Sequence, residues 1–381
     1  MTKENEVVKS IDSKNAEYLK KLNEHMTDKA GEYKKAVKNN DNSFSWVLDG
    51  DKDSIKNIEK SMSKSSRSIK WGLPNLVIGD YENAEFFLCL LNPRVQSSTS
   101  DGKNIKDYVK RETGFDVNVD DDQENYNDEF YSDEKKYYSH MIDKSTTALY
   151  RDVSNLQKIE NLEDIFTKYI EDYENEPRIK KASFEKKNNP VRKQYYLHTY
   201  YNFVFRKEEI KDITKKSKKS KEKLQESKES AAQKEREVYK YLYTKKLSEI
   251  SKLKICDLEL FPYRTESTPN DSLEDKDGVG YSKMASAQFV ARVIIKRALE
   301  KNSPIFAFRS YDKWEKVIRH ELKECGVSDI ERVYIIISKN FYRFSSSRSA
   351  ALTKNNLKSV LTGEKISNND YKKIQNIFKL D

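Results

Sequence analysis

The sequence has few of the residues that carry disulfide, metal and cluster chemistry. Its 381 residues include 3 cysteines, which are far apart and odd in number: Cys89, Cys256 and Cys325. This argues against a disulfide framework and favours a reducing, cytoplasmic setting. Three scattered thiolates are also too few for an ordinary iron–sulfur cluster. The 4 histidines show no metal-ligand spacing and are predicted to be surface or packing residues: His25, His140, His198 and His320. We therefore expect no metal and no other cofactor.

Long apolar runs are also missing. None approaches the about 18 residues of a membrane-spanning helix, and the first residues are polar rather than signal-like. We expect a monomer without a membrane partner.

The 72 Lys and Arg against 63 Asp and Glu give a net charge of +9. This excess permits phosphate contacts with nucleic acid, although a lysine-rich composition alone produces the same charge.

The chain does contain four short apolar runs, each ending in a polar loop. The runs are residues 84–91, 255–260, 305–308 and 333–337, and they are followed by Asn92, Phe261, Arg309 and Ser338. Runs of this length suit strands that are buried on both faces of a parallel sheet. Ligands of such sheets bind at the carboxyl ends of the strands. The pattern therefore predicts a site at one edge of an α/β fold.

The rest of the chain is predicted to be mostly helical. Residues 1–70 form a charged helical extension, and the domain that follows, residues 71–381, contains a mostly helical insertion at about 96–253. A short strand is expected within 75–79, an acidic surface loop at 116–134 and one long exposed helix at 207–253. Amphipathic helices at 282–302 and 314–322 alternate with the later strands, which indicates a parallel sheet. Two short helices, at 353–361 and 369–378, are predicted to close the chain.

Aromatic residues cluster inside the insertion. Tyr195, Tyr196, Tyr200 and Tyr201 are either packing residues between helices and sheet or stacking partners for exposed bases. The second interpretation needs cations beside the rings, and three are near in sequence: Arg192, Lys193 and Arg206.

Taken with their spacing, the four strand ends resemble the uracil-DNA glycosylase superfamily. Residues 74–79 with Leu91-Asn92-Pro93 resemble its water-activating motif, a strand ending in Gly-x-Asp-Pro or Gly-x-Asn-Pro. The other segments follow in the family's order: 256–263 at the base-recognising strand, 305–314 at the central strand-to-helix step, and 333–348 at the closing strand with its DNA-intercalating loop. A closer likeness is to poorly characterised bacterial members with Leu-Asn-Pro, Phe-Pro-Tyr and a final Asn-Leu, here Asn356-Leu357. The resemblance covers 71–95 and 254–358, about a third of the chain.

This resemblance implies a three-layer α/β/α fold with a central, mostly parallel four-stranded sheet. It also implies DNA as the partner, with the target nucleotide flipped out of the stack. Cleavage of an N-glycosidic bond then requires a water positioned at the sugar carbon and donors placed on the departing base.

Roles follow for individual residues. The amide oxygen of Asn92 would orient the water, or Asn92 caps the turn after its strand. Glu259 would read a base amine or act as a base, or it occupies a solvated edge position. Asn340 would hydrogen-bond a base edge. We assign base binding to Phe261, Tyr263 and Ser338, with core packing as the alternative for the two aromatic residues. We assign DNA backbone contacts to Arg94, Arg309, Ser346, Ser347 and Arg348, and the wedge that fills the gap to Phe341, Tyr342 and Phe344.

Two departures from the family pattern affect the expected substrate. Arg94 replaces a small residue after Asn-Pro, and Ser338, Lys339 and Asn340 replace the histidine that would stabilise a uracil anion. The sequence therefore predicts a bacterial DNA glycosylase for a non-standard or modified base, acting in repair or antiphage defence. The alternative is a non-catalytic nucleic-acid-binding protein that keeps the fold. A metal-dependent nuclease using Asp257 and Glu259 is a third reading, but it lacks a matching Lys-bearing strand motif.

Overall fold

The computed structural model describes residues 3–55, 66–93, 101–113, 134–177, 180, 184, 188–192, 194–206, 231–265, 280–345 and 351–380. Contacts divide the chain into two compact units. The first unit consists of Met1–Ser145 and Ile255–Arg343, and the second consists of Thr146–Lys254 and Phe344–Asp381. Each unit is therefore assembled from two separate stretches of chain.

Helices are the main element of the described residues. In chain order they are α1 (Lys3–Asn39), α2 (Ser66–Trp71), α3 (Ile105–Thr113), α4 (Glu134–Met141), α5 (Ala148–Gln157), α6 (Leu162–Asn175), α7 (Tyr195–Thr199), α8 (Ala231–Tyr243), α9 (Leu247–Ile250), α10 (Ala285–Ala298), α11 (Tyr311–Glu324), α12 (Ile330–Ile337) and α13 (Asn368–Ile377). None of these described helices is both long enough and apolar enough to cross a membrane.

The strands form a mixed sheet. They are β1 (Val77–Ile78), β2 (Phe86–Leu90), β3 (Ile142–Asp143), β4 (Ile255–Glu259), β5 (Ile305–Phe308), β6 (Phe341–Phe344) and β7 (Leu357–Ser359). In the first unit the order is β3-β1-β4-β2-β5-β6. Strands β4, β2, β5 and β6 are parallel neighbours, whereas β1 is antiparallel to β4 and parallel to β3.

The predicted α/β class is confirmed, but the predicted four-stranded sheet is wrong. The sheet is larger and mixed because β1 and β3 extend it on one side. Strand β1 lies within the short strand predicted at 75–79, whereas β3 has two residues and is too short for a periodic pattern to reveal. The longer central strands match their apolar runs: every residue of β2, β4 and β5 is buried, as expected for strands covered on both faces.

The fourth apolar run is a helix, not the predicted strand. Residues 333–337 belong to α12, which begins after Asp329, whose carboxylate accepts a hydrogen bond from the amide of Arg332 at 3.0 Å. Only one side of the run is buried: Tyr334 and Ile337 lie in the core, whereas Ile335 is 46% exposed. The strand comes later, as β6, so its carboxyl end is Phe344.

Other predicted elements have mixed outcomes. Helices α10, α11 and α13 confirm the predicted helices at 282–302, 314–322 and 369–378. Residues 207–230 of the predicted single helix at 207–253 lie outside the described part of the chain, and the described remainder is interrupted, because α8 ends at Tyr243 and α9 starts at Leu247. The predicted helix at 353–361 is wrong, since β7 lies there. Residues 114–133 lie outside the described part of the chain, and they include nearly all of the predicted acidic loop.

Helix α1 is part of the core of the first unit. Its apolar positions Ile11, Leu22, Met26 and Ala30 are buried at helical spacing. The ring of Tyr18 stacks on that of Phe289 in α10, with centroids 4.8 Å apart. The amphipathic pattern of the first forty residues therefore arises because α1 packs its apolar face against α10.

A tight backbone approach fixes β1 beside β4. Gly79, which follows β1, has φ of +125°, a conformation that side chains rarely adopt. A Cβ atom at this position would lie 2.5 Å from the carbonyl oxygen of Ile255 and 2.7 Å from the Cα of Cys256. Glycine is thus required here for the antiparallel pairing that brings the start of β1 to the carboxyl end of β4.

Candidate functional site

The carboxyl ends of β2, β4 and β5 meet at one edge of the sheet. Leu90 of β2 is in register with Glu259 of β4, and Cys89 is in register with Phe308 of β5. The amide of Arg309 donates to the carbonyl of Cys89 at 2.8 Å, which continues the ladder beyond β5. This edge therefore collects Asn92, Glu259 and Arg309, as the positions of the apolar runs predict.

Asn92 is buried and its amide group is held in place. Its Nδ2 donates to Thr265 Oγ1 at 2.7 Å and to the carbonyl of Pro93 at 3.2 Å. The backbone amide of Thr265 donates to the same Pro93 carbonyl at 3.3 Å. No described residue donates to Asn92 Oδ1, so the amide presents a fixed, unused acceptor. Thr265 was not identified from the sequence, where its only signal is its place just after Phe-Pro-Tyr-Arg.

Two acids of β4 are buried beside this edge. Asp257 and Glu259 alternate along the strand, so both face the same side of the sheet as their register partners Leu88 and Leu90. Burial raises the pKa of the Cys89 thiol, and the charges of Asp257 and Glu259 raise it further. Cys89 is therefore an inert core thiol, and the solvated edge position considered for Glu259 does not describe this buried side chain.

Asn75 reaches the same edge from the antiparallel strand β1. The backbone amide of Asn75 donates to the carbonyl of Pro262 at 2.9 Å. The backbone carbonyl of the following residue, Leu76, accepts from the backbone amide of Glu259 at 3.0 Å. The side chain is buried, and its Oδ1 accepts no hydrogen bond from the described residues. A buried acceptor without a donor is uncommon and needs an explanation, of which a bound donor is one.

Phe261 and Tyr263 lie in the core rather than on a surface. Both side chains are fully buried, and their rings contact edge to face with centroids 5.2 Å apart. The Tyr263 hydroxyl donates to Asp51 Oδ2 at 2.9 Å and accepts from the amide of Leu48 at 3.0 Å. Base stacking by either ring therefore stays a prediction, and it would require this part of the core to open.

Asp51 links Tyr263 to the start of α10. Its Oδ1 accepts from the amide of Ser286 at 3.2 Å, and burial raises the pKa of its carboxyl group. We expect Asp51→Ala to lower the free energy of unfolding by about 2 kcal/mol, because the helix loses a capping acceptor and the Tyr263 hydroxyl loses its partner. Urea unfolding followed by tryptophan fluorescence measures this change. The exposed neighbour Asp49→Ala is the control, and equal stability of both variants would contradict the expectation.

Ser338 and Asn340 lie at the opposite edge of the sheet. Asn340 precedes β6, and its Nδ2 donates to the carbonyl of Ser303, just before β5, at 3.0 Å. The buried hydroxyl of Ser338 donates to the carbonyl of Tyr334 at 2.6 Å. Because a strand advances about 3.3 Å per residue, a four-residue strand separates these groups from the carboxyl edge by roughly 10 Å or more. The structure therefore does not join them to Asn92 and Glu259.

The remaining DNA-binding and wedge candidates divide into two groups. Arg94, Ser346, Ser347 and Arg348 lie outside the described residues. Arg309 is described and half-buried, and it precedes Ser310, whose φ of +51° starts α11 from a left-handed conformation. Of the wedge candidates in β6, Phe341 and Tyr342 are buried, whereas Phe344, the last residue of the strand, is half-buried.

The described residues contain no group of three or more His, Cys, Asp or Glu side chains arranged to hold a metal ion. In particular, no third His, Cys, Asp or Glu of the described residues joins Asp257 and Glu259 to form a metal site, as the nuclease interpretation would need. Comparison with protein-family models, with curated proteins and with solved structures gives no match. The proposals below therefore rest on the geometry of this chain and on the motif resemblance.

Proposed function

We propose that the first unit is a DNA glycosylase-like hydrolase that removes a non-standard or modified base by cleaving its N-glycosidic bond. The observation that carries this proposal is the fixed amide of Asn92 at the carboxyl edge. Thr265 and Pro93 hold its Nδ2, and Oδ1 remains available as an acceptor. A role in DNA repair or antiphage defence belongs to the same proposal, and the net charge of +9 is compatible with a DNA partner.

The proposed reaction begins with a nucleotide flipped out of the DNA stack. Asn92 Oδ1 accepts a hydrogen bond from a water and aligns its oxygen with the sugar carbon. As the bond to the base breaks, the sugar becomes oxocarbenium-like and the water adds to it. Asn92 orients this water without taking its proton, and Glu259 of β4 is the nearby carboxyl group that can act as the base. The buried Oδ1 of Asn75 offers an acceptor for a base amine.

The departing base carries negative charge and needs a donor. Ser338 and Asn340 lie at the other edge, so we assign this task to Arg309, which follows β5 at the same edge as Asn92. A guanidinium keeps its charge at every relevant pH and offers several donors. This assignment fits a leaving base other than uracil, in keeping with the missing histidine.

A non-catalytic nucleic-acid-binding protein is the second candidate. Two observations favour it: the separation of Asn340 from Asn92, and the burial of both Phe261 and Tyr263. Under this alternative the Asn92–Thr265 hydrogen bond only closes the loop after β2, and the protein binds DNA without forming abasic sites.

Removing the Asn92 side chain tests the catalytic proposal. We expect Asn92→Ala to lower the rate of base release at least about 100-fold, because the water loses its orienting acceptor. The measurement uses duplex and single-stranded DNAs with normal and modified bases, without added metal, and detects abasic sites by alkaline cleavage. Asn83→Ala is the matched control, since Asn83 lies in the exposed turn before β2 and, among the described residues, its side chain bonds Asp80.

A second variant separates orientation from folding. Thr265→Val removes the hydroxyl that holds Asn92 Nδ2 and should reduce base release by about 10-fold while DNA binding stays near that of the unmodified protein. Binding to DNA with no abasic product on any member of the panel would support the binding protein instead. Strand cleavage that needs a divalent metal and no alkali would indicate a nuclease.

A further inference from the structure

The second unit contains a buried carboxylate surrounded by hydrogen-bond donors. Glu235 of α8 accepts from Tyr239 Oη at 2.9 Å, from His198 Nδ1 at 2.6 Å and from Asn202 Nδ2 at 3.4 Å, all at Oε1. Its Oε2 accepts from Asn189 Nδ2 at 3.1 Å. Three of these donors come from residues 189–202, which thereby pack onto α8. The cluster fixes the position of one imidazole.

His198 is the one member of this cluster that reaches the surface. Its side chain is 22% exposed, whereas that of Glu235 is 7% exposed. Donation from Nδ1 to the carboxylate places the hydrogen of the neutral ring on Nδ1 and the lone pair on Nε2. Nε2 forms no hydrogen bond with the described residues. A buried carboxylate that orients a histidine in this way prepares the second nitrogen to accept a proton.

Two cations belong to the same segment as the residues of this cluster. Arg206 donates from Nη2 to Asn202 Oδ1 at 3.3 Å, and its guanidinium lies 4.2 Å from the centre of the Phe203 ring. Arg192 is exposed, and its amide donates to the carbonyl of Asn189 at 3.3 Å. Anions, phosphate in particular, are the ligands that guanidinium groups near an acid–base group would attract.

Aromatic rings complete this surface. Tyr195 and Tyr196 begin α7, are half-buried and contact each other edge to face with centroids 5.4 Å apart. Their neighbour Tyr200 is buried. Partly exposed rings beside cations are the combination that binds unpaired bases. The tyrosine cluster of the insertion therefore contains both packing residues and residues that can stack.

We propose that His198 is a catalytic base that cleaves single-stranded RNA in the second unit. Nε2 takes the proton of a ribose 2′-hydroxyl, and the 2′ oxygen attacks the adjacent phosphorus. The bond from phosphorus to the 5′ oxygen breaks, and that oxygen leaves with a proton from water. The products are a 2′,3′-cyclic phosphate and a free 5′-hydroxyl. His198 returns its proton to solvent, so the reaction consumes no co-reactant.

We propose RNA and not DNA as the substrate because the nucleophile of this reaction is the ribose 2′-hydroxyl, which DNA lacks. RNA carries its own attacking hydroxyl next to the phosphorus, so one oriented base is sufficient to start the transesterification. Arg192 and Arg206 would neutralise the phosphate as its charge develops. Glu235 is a positioning residue, because it acts only through the imidazole. This activity is independent of the glycosylase proposed for the first unit.

Cleavage of single-stranded RNA probes tests this proposal. A pool of 20-nucleotide, 5′-fluorescent RNAs of random sequence is incubated with the full chain in EDTA, and the products are separated by size and analysed for cyclic phosphate ends. We expect His198→Asn to slow cleavage at least about 100-fold. His320→Asn, the same substitution in α11 of the first unit, should cleave at the unmodified rate. Glu235→Gln should slow cleavage while leaving RNA binding intact.

Further measurements separate a loss of catalysis from a loss of folding or binding. Circular dichroism and thermal unfolding establish that His198→Asn remains folded, and RNA binding by fluorescence anisotropy shows that its surface is intact. A probe with one 2′-deoxynucleotide should resist cleavage at that position. The proposal is overturned if the unmodified protein cleaves no RNA in the pool, if His198→Asn cleaves as fast, or if the deoxy position is cut equally well.

Discussion

Replacing Glu321 with alanine is expected to lower the free energy of unfolding of the first unit by about 3–5 kcal/mol. Glu321 Oε2 accepts from Arg292 Nη1 at 2.9 Å, and the two side chains are 1% and 7% exposed. Arg292 also donates from Nε to Asn15 Oδ1 at 2.8 Å, so the pair connects α10, α11 and α1. The alanine variant would leave a guanidinium inside the core without its counter-charge, which costs far more than the loss of a surface ion pair.

Tryptophan fluorescence during urea unfolding suits this measurement. All 3 tryptophans, Trp46, Trp71 and Trp314, belong to the first unit. Glu324→Ala is the matched control, because this exposed residue of α11 should change stability by no more than about 0.5 kcal/mol. A double variant, Arg292→Met with Glu321→Leu, should recover most of the loss by removing both charges. Equal stability of Glu321→Ala and Glu324→Ala would contradict the expected cost of the unpaired guanidinium.

The second large effect is a dependence of stability on pH that comes from Asp152 in α5. Burial raises the pKa of this carboxyl group to about 7, although it accepts a hydrogen bond from the amide of Leu197 at 2.7 Å. In the unfolded chain the pKa is about 3.9. The folded protein therefore retains the proton at pH values where the unfolded chain has lost it. This contribution to stability is complete below about pH 4 and is lost as the pH rises through 7.

Asp152→Asn removes the titration while keeping an oxygen acceptor for the Leu197 amide. We expect the stability of the variant relative to the unmodified protein to increase by about 4 kcal/mol between pH 4 and pH 8. Hydrogen exchange of the α5 and α7 amides measures this difference within the second unit. Asp164→Asn, at an exposed position of α6, provides the control. A constant difference between Asp152→Asn and the unmodified protein across this pH range would show that the carboxyl group does not titrate as expected.

The central strands could be predicted from the sequence because their burial leaves a direct pattern. Strands β2, β4 and β5 are buried on both faces and read as continuous apolar runs. Residues 333–337 show the limit of this signal, since a short run of Ile and Val also suits a helix with one buried face. The capping Asp329 was the better indicator there. Because the strand lies at Phe341–Phe344 and not at 333–337, Asn340 and Ser338 precede it and lie at the edge opposite the predicted site.

Contacts between distant residues explain what the sequence could not show at the sites. Asn92 could be predicted from its position after a strand, but its anchor Thr265 is 173 residues away. Likewise, nothing local marks His198 as different from the other histidines, because the carboxylate that orients it belongs to Glu235, 37 residues later. Asn75 reaches the carboxyl edge only because β1 is antiparallel to β4. Hydrophobic periodicity reports elements one at a time and carries no information on such pairings.

The division of the chain between the two units has a consequence for biosynthesis. The second unit needs both Thr146–Lys254 and Phe344–Asp381, and the whole of Ile255–Arg343 is translated between them. During synthesis, Thr146–Lys254 therefore remains incompletely folded, with apolar helix faces exposed, until the last strands of the first unit and then Phe344–Asp381 have been translated. Closing contacts over such a long separation in sequence is slow. We therefore expect the second unit to fold last and to be the part of the nascent chain that depends most on chaperones.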